Sequence, residues 1–299
     1  MLNIERVNDL GEAERLWRAL SPNKFIFDDW DYRLAFYKYE TCPLDFYAAY
    51  EVLGQTKILV GLMPLQVSPK LGREFFSESS CEENRPFIKI SHENILPLLY
   101  EAIELPAQCC DVAGTDDFTS KLPLEDYIYF LPLNDLKDFD NFLINRLSPK
   151  RRKSIQKELA EIEKNNIEII YNDFNDLELL FEFNSATFNS ESYLLKDIEK
   201  QPWRDLIKNP TFNWHMITLK LNDFKCAVSL AVLYNNTWFY LLTGVNFKKF
   251  PGLGKYLVRA NITAAIKAKA DIFDAGLGDC GWKKLWHFDT EPQYDFIKK

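Results

Sequence analysis

Residues 248–257 read KKFPGLGKYL and gather most of what the chain offers toward binding an anion. Gly252 and Gly254 stand one residue apart, just ahead of an alanine-rich run, in a chain with only 11 glycines. Glycines at a strand-to-helix junction strip side chains from the first helical turn. The N–H groups of that turn have no intrahelical partner and face outward with the positive end of the dipole behind them. A pyrophosphate fits such a turn, with Lys248, Lys249 and Lys255 beside it; a plain tight turn with surface lysines fits the same residues. A second cationic run, Lys150 to Lys153, opens a helix at the end where cations oppose the dipole. Either an anion site or a solvated charged face accounts for it. No Gly-x-Ser-x-Gly elbow and no Cys beside a His supports a covalent acyl-enzyme, and Walker and Rossmann patterns are absent. The six cysteines are scattered without a CxxC pair or a Cys/His cluster, so reduced thiols and no metal are expected.

These residues need elements to hold them. LSPKRRKSIQKELAEIEKNN reads as an amphipathic helix with Ser148 as N-cap, Pro149 at the first position and Ile155, Leu159 and Ile162 on one face. Beyond Trp214, WHMITLKL, KCAVSLAVLY and TWFYLLTGV read as a three-stranded meander turned by Asn222-Asp223 and Asn235-Asn236. The Gly-x-Gly stretch follows, then LVRANITAAIKAKA as a helix and DIFDAG as a strand that crosses back to the sheet. Upstream, helices around residues 11–20 and within FIFDDWDYRLAFYKY precede paired strands about Gly54-Gln55, a helix near residues 95–103 and the strand YIYFLPL. The whole is α+β, with mixed, mostly antiparallel sheets flanked by helices.

A length of 299 residues, 47% of them hydrophobic, is enough for two ordinary domains, expected at 1–145 and 146–299. The first residues lack a signal-like apolar run, and no stretch of some 18 uncharged apolar residues occurs, so a soluble cytoplasmic protein is expected. A net charge of -8 argues against broad capture of DNA or anionic lipid, leaving room only for a local basic groove.

The strand, KKFPGLGKYL and the helix after it resemble the acyl-CoA N-acyltransferase (GNAT) fold, whose phosphate loop follows Gln/Arg-x-x-Gly-x-Gly/Ala. That pattern falls on Lys249, Gly252 and Gly254, with Lys in the first position. IFDAGLGDCGWKKLW is similar to the closing motif of the FemAB-related branch of that superfamily, at Asp274, Gly276, Gly278, Asp279, Trp282, Lys283 and Trp286. Trp282 stands where a Tyr is usual, so no hydroxyl is available there. The resemblance spans about residues 25–287 and implies tandem GNAT-like domains, with the phosphate loop only in the second.

It implies direct transfer of an acyl group from acetyl-CoA or another acyl-CoA to a small amine such as an amino sugar or amino acid, with no metal. The donor-binding positions would be Gly244, Val245, Lys249, Gly252, Leu253, Gly254 and Lys255, where a strand leaving the sheet exposes N–H groups to the pantetheine arm and the thioester oxygen. Asp274 and Asp279 are candidates for accepting the amine proton, and Tyr240 for protonating the thiolate. Asp116, Asp117 and Lys283 are candidates for holding the acceptor. Structural roles compete at each: a turn cap or Lys283 pair for Asp274, a core phenol for Tyr240, a solvent turn for Asp116 and Asp117. His215 and His287, each close to tryptophan, read as packed or surface residues. Two other functions stay open. One is a FemAB-type peptidoglycan ligase using aminoacyl-tRNA, which the overall acidity disfavours; the other is a GNAT-like scaffold that binds without catalysis.

Overall fold

Asn222, Asp223, Asn235 and Asn236 take positive φ values of 47°, 69°, 45° and 60°, the signature of two-residue hairpin loops, and so fold the expected meander. The computed structural model describes residues 1–77, 82–114, 117–246 and 252–299. Strands are β1 (Leu2–Val7), β2 (Phe46–Leu53), β3 (Thr56–Met63), β4 (Leu65–Ser68), β5 (Gly72–Phe75), β6 (Phe87–Ile88), β7 (Ala107–Ala113), β8 (Leu124–Pro132), β9 (Ile167–Tyr171), β10 (Asn213–Leu221), β11 (Phe224–Tyr234), β12 (Thr237–Val245), β13 (Ile272–Leu277) and β14 (Asp289–Lys298). Helices are α1 (Leu10–Leu20), α2 (Trp30–Tyr37), α3 (Leu96–Ala102), α4 (Phe139–Arg146), α5 (Pro149–Glu163), α6 (Leu177–Phe188), α7 (Asp197–Lys208) and α8 (Leu253–Lys267).

The described chain divides into two units, Met1–Ile128 with Glu291–Lys299, and Tyr129–Thr290. The divide falls inside β8. One reason is that Phe139 and Phe142 of α4 pack on Trp286 at 5.9 and 6.1 Å, while the Leu133 N–H bonds the Asp271 carbonyl at 2.8 Å. The other is that β14 runs antiparallel to β7, which returns the C-terminus to the first unit. Both units carry mixed, mostly antiparallel sheets flanked by helices.

In the first unit β1-β2-β3-β6 form an antiparallel sheet, and β4-β5-β7-β14 lie side by side in a mixed one, antiparallel except for the parallel β5/β7 pair, with β8 beside β14. Trp17 centres one core, its ring 4.7 Å from Phe87 and 5.6 Å from Trp30, and its indole N–H donates to the Asp28 carbonyl at 2.8 Å. Where β7, β8 and β14 meet, burial pushes the Glu125 carboxyl above its ordinary value; the Asp111 N–H, 2.8 Å away, opposes this, and a hydrogen bond with Asp295 adds to it. The folded state then holds this proton more tightly than the unfolded chain. Its contribution to stability is complete below the unfolded value of about 4.3 and is lost as pH rises through the raised folded value. Glu125→Gln is therefore expected to raise Tm at pH 7 and to lose that advantage below about pH 4, the unfolded glutamate range. Thermal scans at the two pH values check it.

The second unit carries a sheet of order β13-β12-β11-β10-β9, antiparallel except for the parallel β12/β13 pair. Among the described residues no helix is long and apolar enough to cross a membrane.

Candidate functional site

Helix α8 begins at Gly252, whose φ of 87° and ψ of −11° place the N-cap in the left-handed region that glycine enters without strain. No side chain caps this end, so the first N–H groups of a 15-residue helix are left to a ligand or to water. Among the described residues, the cations of the first turns of α8 are engaged elsewhere, and Lys248 lies outside the described residues. Lys255 Nζ pairs with Glu158 of α5 and holds that carboxyl below its ordinary range, and Arg259 pairs with Glu163. Helix α5 starts as expected, Ser148 Oγ accepting the Arg151 N–H at 3.4 Å, and it buries Ile155 and Leu159. Arg151 Nε is shut from solvent with no hydrogen-bond partner among the described residues. Lys249 lies outside the described residues.

A slot opens between β12 and β13. They pair only at Thr237/Ile272, Trp238/Phe273 and Phe239/Asp274, although β12 continues to Val245. Within β12 the register against β11 slips: Tyr240 faces Ala231 and Leu242 faces Leu230, so Leu241 is the extra residue of a bulge. Register and contacts fix the two sides of the sheet. Ser229 bonds Asn261 of α8 at 2.8 Å, Ala231 shares its side, and Tyr240 faces Ala231, so Tyr240 lies on the α8 side. Phe239 and its pair Asp274 lie on the other side, where α6 packs. The slot therefore has a phenol on one side and a carboxylate on the other.

The far end of β12 is gripped by α6. A Cβ on Gly244 would sit 2.6 Å from the Asn184 nitrogen and 2.7 Å from the Leu180 oxygen, so glycine is what lets strand and helix meet. Asn246 donates to the Cys226 carbonyl at 2.9 Å, which makes Gly244/Val228 a hydrogen-bonded pair and turns the peptide groups of Thr243 and Val245 toward the slot. Three of those four groups are occupied. Asn184 Nδ2 donates to the Thr243 carbonyl at 2.8 Å. The Val245 N–H donates to Thr187 Oγ1 at 3.3 Å, and the Val245 carbonyl lies 3.1 Å from the same hydroxyl.

Asp274 is buried, and its Oδ1 accepts the Gly276 N–H at 2.7 Å. Lys283 is buried too. Its ammonium donates to the Gly276 and Leu277 carbonyls at 2.9 and 2.8 Å and lies 5.5 Å over the Tyr129 ring. Asp279 Oδ1 caps the following turn through the Lys284 N–H at 2.9 Å. Trp282 and Trp286 pack edge to face at 6.2 Å. Burial pushes the Tyr240 phenol up against a hydrogen bond with Thr243 that lowers it, so the hydroxyl stays protonated at neutral pH. Burial likewise lowers the His215 imidazole, which lies 4.4 Å from the Trp238 ring and is neutral.

Residues 149–284, which hold the splayed β12/β13 pair and the glycine-capped helix, match a family model described as "Acetyltransferase (GNAT) domain". The fold is that of the GNAT superfamily. Among solved structures, FemX shares 13% identity with the chain at a TM-score of 0.61, covering 98% of this chain and 97% of FemX. A tandem GNAT protein from the clavulanic acid biosynthesis pathway shares 8% at 0.56, covering 99% and 98%. The C-terminal domain of a putative lysylphosphatidylglycerol synthetase from Agrobacterium fabrum shares 10% at 0.54, covering 96% and 92%. No curated protein matches the chain in sequence. The fold is thus tandem GNAT-like and shared with FemX, and the second unit holds the matched GNAT domain.

Within that GNAT domain the structure brings Tyr240, Gly244, Val245 and Asp274 to the slot, with Gly252, Leu253 and Gly254 at the helix end. Leu253 is buried. Lys255 and Lys283 are turned to Glu158 and to backbone carbonyls respectively. Asp117 is exposed and belongs to the first unit, and Asp116 lies outside the described residues. The first unit also sets Cys110 Sγ and carboxylate oxygens of Glu125 and Asp295 within 4.8 Å of one another, a group that chain spacing did not signal. Sequence reading missed Asn184 and Thr187, which share α6 with Glu178, Glu182 and Ser185 and carry no spacing signal that sets them apart.

Proposed function

We propose that the protein is an acyl-CoA-dependent N-acyltransferase that transfers an acyl group directly to a small amine such as an amino sugar or amino acid. The left-handed Gly252 cap, at the start of the helix that lies between β12 and β13 in the chain, carries this reading, because it offers bare N–H groups to a pyrophosphate while the thioester enters between those strands. The amine nitrogen attacks the thioester carbonyl carbon, and Asp274 takes the proton the nitrogen sheds. Collapse of the tetrahedral adduct breaks the carbon–sulfur bond, and Tyr240 protonates the departing thiolate. Base and acid lie on opposite sides of the slot, so the amine and the thiolate are each served by a separate group. Lys283 is assigned to holding the β13 turn.

Calorimetry with acetyl-CoA tests this. The parent is expected to bind, and Gly254→Val, which crowds the first helical turn with two methyl groups, is expected to weaken binding at least about tenfold, the 1.4 kcal/mol of one lost charge-assisted hydrogen bond. Circular dichroism confirms that the variant is folded. A parent that does not bind overturns the reading.

The fold shared with FemX and the cationic first turn of α5 favour a second reading, a FemAB-type ligase using aminoacyl-tRNA. It requires RNA binding that strengthens steeply as salt is lowered.

A further inference from the structure

The slot-facing peptide groups at the end of β12 are the natural place for a donor arm that contains amides, because an extended chain there would continue the sheet past the point where β13 departs. In this structure they are not open. Thr187 Oγ1 accepts from the Val245 N–H and Asn184 Nδ2 donates to the Thr243 carbonyl. These two side chains mimic the donor and acceptor that an added strand would present.

We propose that Asn184 and Thr187 form a latch on the β12 edge, and that a donor with a peptide-like arm enters by exchanging its own amides for them. The proposal rests on the acyl-CoA reading above and adds the residues that control admission of the pantetheine arm. The latch is built to let go. Thr187 Oγ1 lies 2.7 Å from the Phe183 carbonyl one helical turn back, so its proton has an acceptor within α6 when Val245 is taken by a ligand. Asn184 is braced from behind, its Oδ1 accepting from Ser192 Oγ at 2.8 Å, and Ser192 Oγ accepts the Leu194 N–H at 3.1 Å. Exchange at Asn184 therefore loosens the turn after α6, and exchange at Thr187 does not. Thr187 is the cheaper half of the latch, and β12 is held ready by groups that the donor replaces one for one.

Thr187→Val keeps the shape and removes the hydroxyl, which leaves the Val245 N–H to the ligand. Binding of CoA and of adenosine 3′,5′-bisphosphate, which lacks the pantetheine arm, is measured by calorimetry for the parent, Thr187→Val and Thr187→Ser. The expected result is a Kd for CoA lowered about two- to tenfold in Thr187→Val, the range of one net hydrogen bond, an unchanged Kd for the bisphosphate, and parent-like values in Thr187→Ser. An unmoved or weakened CoA affinity, or equal shifts for both ligands, overturns the latch while leaving the acyl-CoA reading in place. A parent that binds neither ligand overturns both. Thr187→Ala removes the same hydroxyl and reads the same difference if circular dichroism shows Thr187→Val unfolded.

Discussion

Replacing Asp274 with Asn is expected to lower kcat by about 10²- to 10⁴-fold, the usual worth of a positioned general base, with little change in the fold. The side-chain oxygen of Asn can still accept the Gly276 N–H that Asp274 holds at 2.7 Å, so the turn after β13 keeps its local support. What disappears is the ability to accept a proton from the amine. The measurement is thiol release from acetyl-CoA with the amine that a panel screen identifies, followed over pH for parent and variant. The parent should show an ascending acidic limb in kcat/KM that is lost in the variant, and donor affinity should be unchanged. A variant that retains the parental kcat and the same limb would leave Asp274 as a turn residue and move the search for the base elsewhere in the slot.

The second large effect is on stability. In Gly244→Ala the added Cβ meets the Asn184 nitrogen at 2.6 Å, the Leu180 oxygen at 2.7 Å and the Phe183 Cβ at 2.7 Å. Two of these are backbone atoms of α6, which cannot rotate away as a side-chain end does, so strand and helix must separate. The expected cost is about 3 kcal/mol, the upper end of the range for overpacking a well-filled core. It is read as a lower urea midpoint at unchanged m-value. Because α6 carries Asn184 and Thr187, the same separation breaks their bonds to Thr243 and Val245. A Gly244→Ala protein with the parental midpoint would show that the approach of α6 to β12 is looser than the structure has it.

Local chemistry made some of this legible in sequence. Asn222-Asp223 and Asn235-Asn236 announce their loops because few residues enter the left-handed region cheaply, and Ser148-Pro149 announces the start of α5 for similar local reasons. Gly252 is legible as a helix start for the same cause. The partners of long side chains are not legible. Lys255 and Lys283 read as cations near a ligand, yet their ammonium groups are claimed by Glu158 and by two carbonyls, matches made by helix packing and chain reversal rather than by spacing. Thr187 and Asn184 sit in LELLFEFNSATF, where the apolar residues dominate the pattern and the hydrogen-bond phase of a distant strand decides what the polar ones touch. The pairing of β14 with β7, which joins residues far apart in the chain, is likewise set by packing rather than by local spacing.

The extra residue Leu241 makes β12 a strand of two parities. Up to Tyr240 the even-numbered side chains look toward α8, and from Leu242 onward they look toward α6. One strand thereby offers an aromatic residue to α8 and a glycine to α6 on the opposite side, an assignment that uninterrupted alternation would forbid. The frame of the whole segment hangs on a single residue: remove it, and every position from 242 to 245 changes sides together, so the length of this strand, and not only its composition, decides which helix each residue meets.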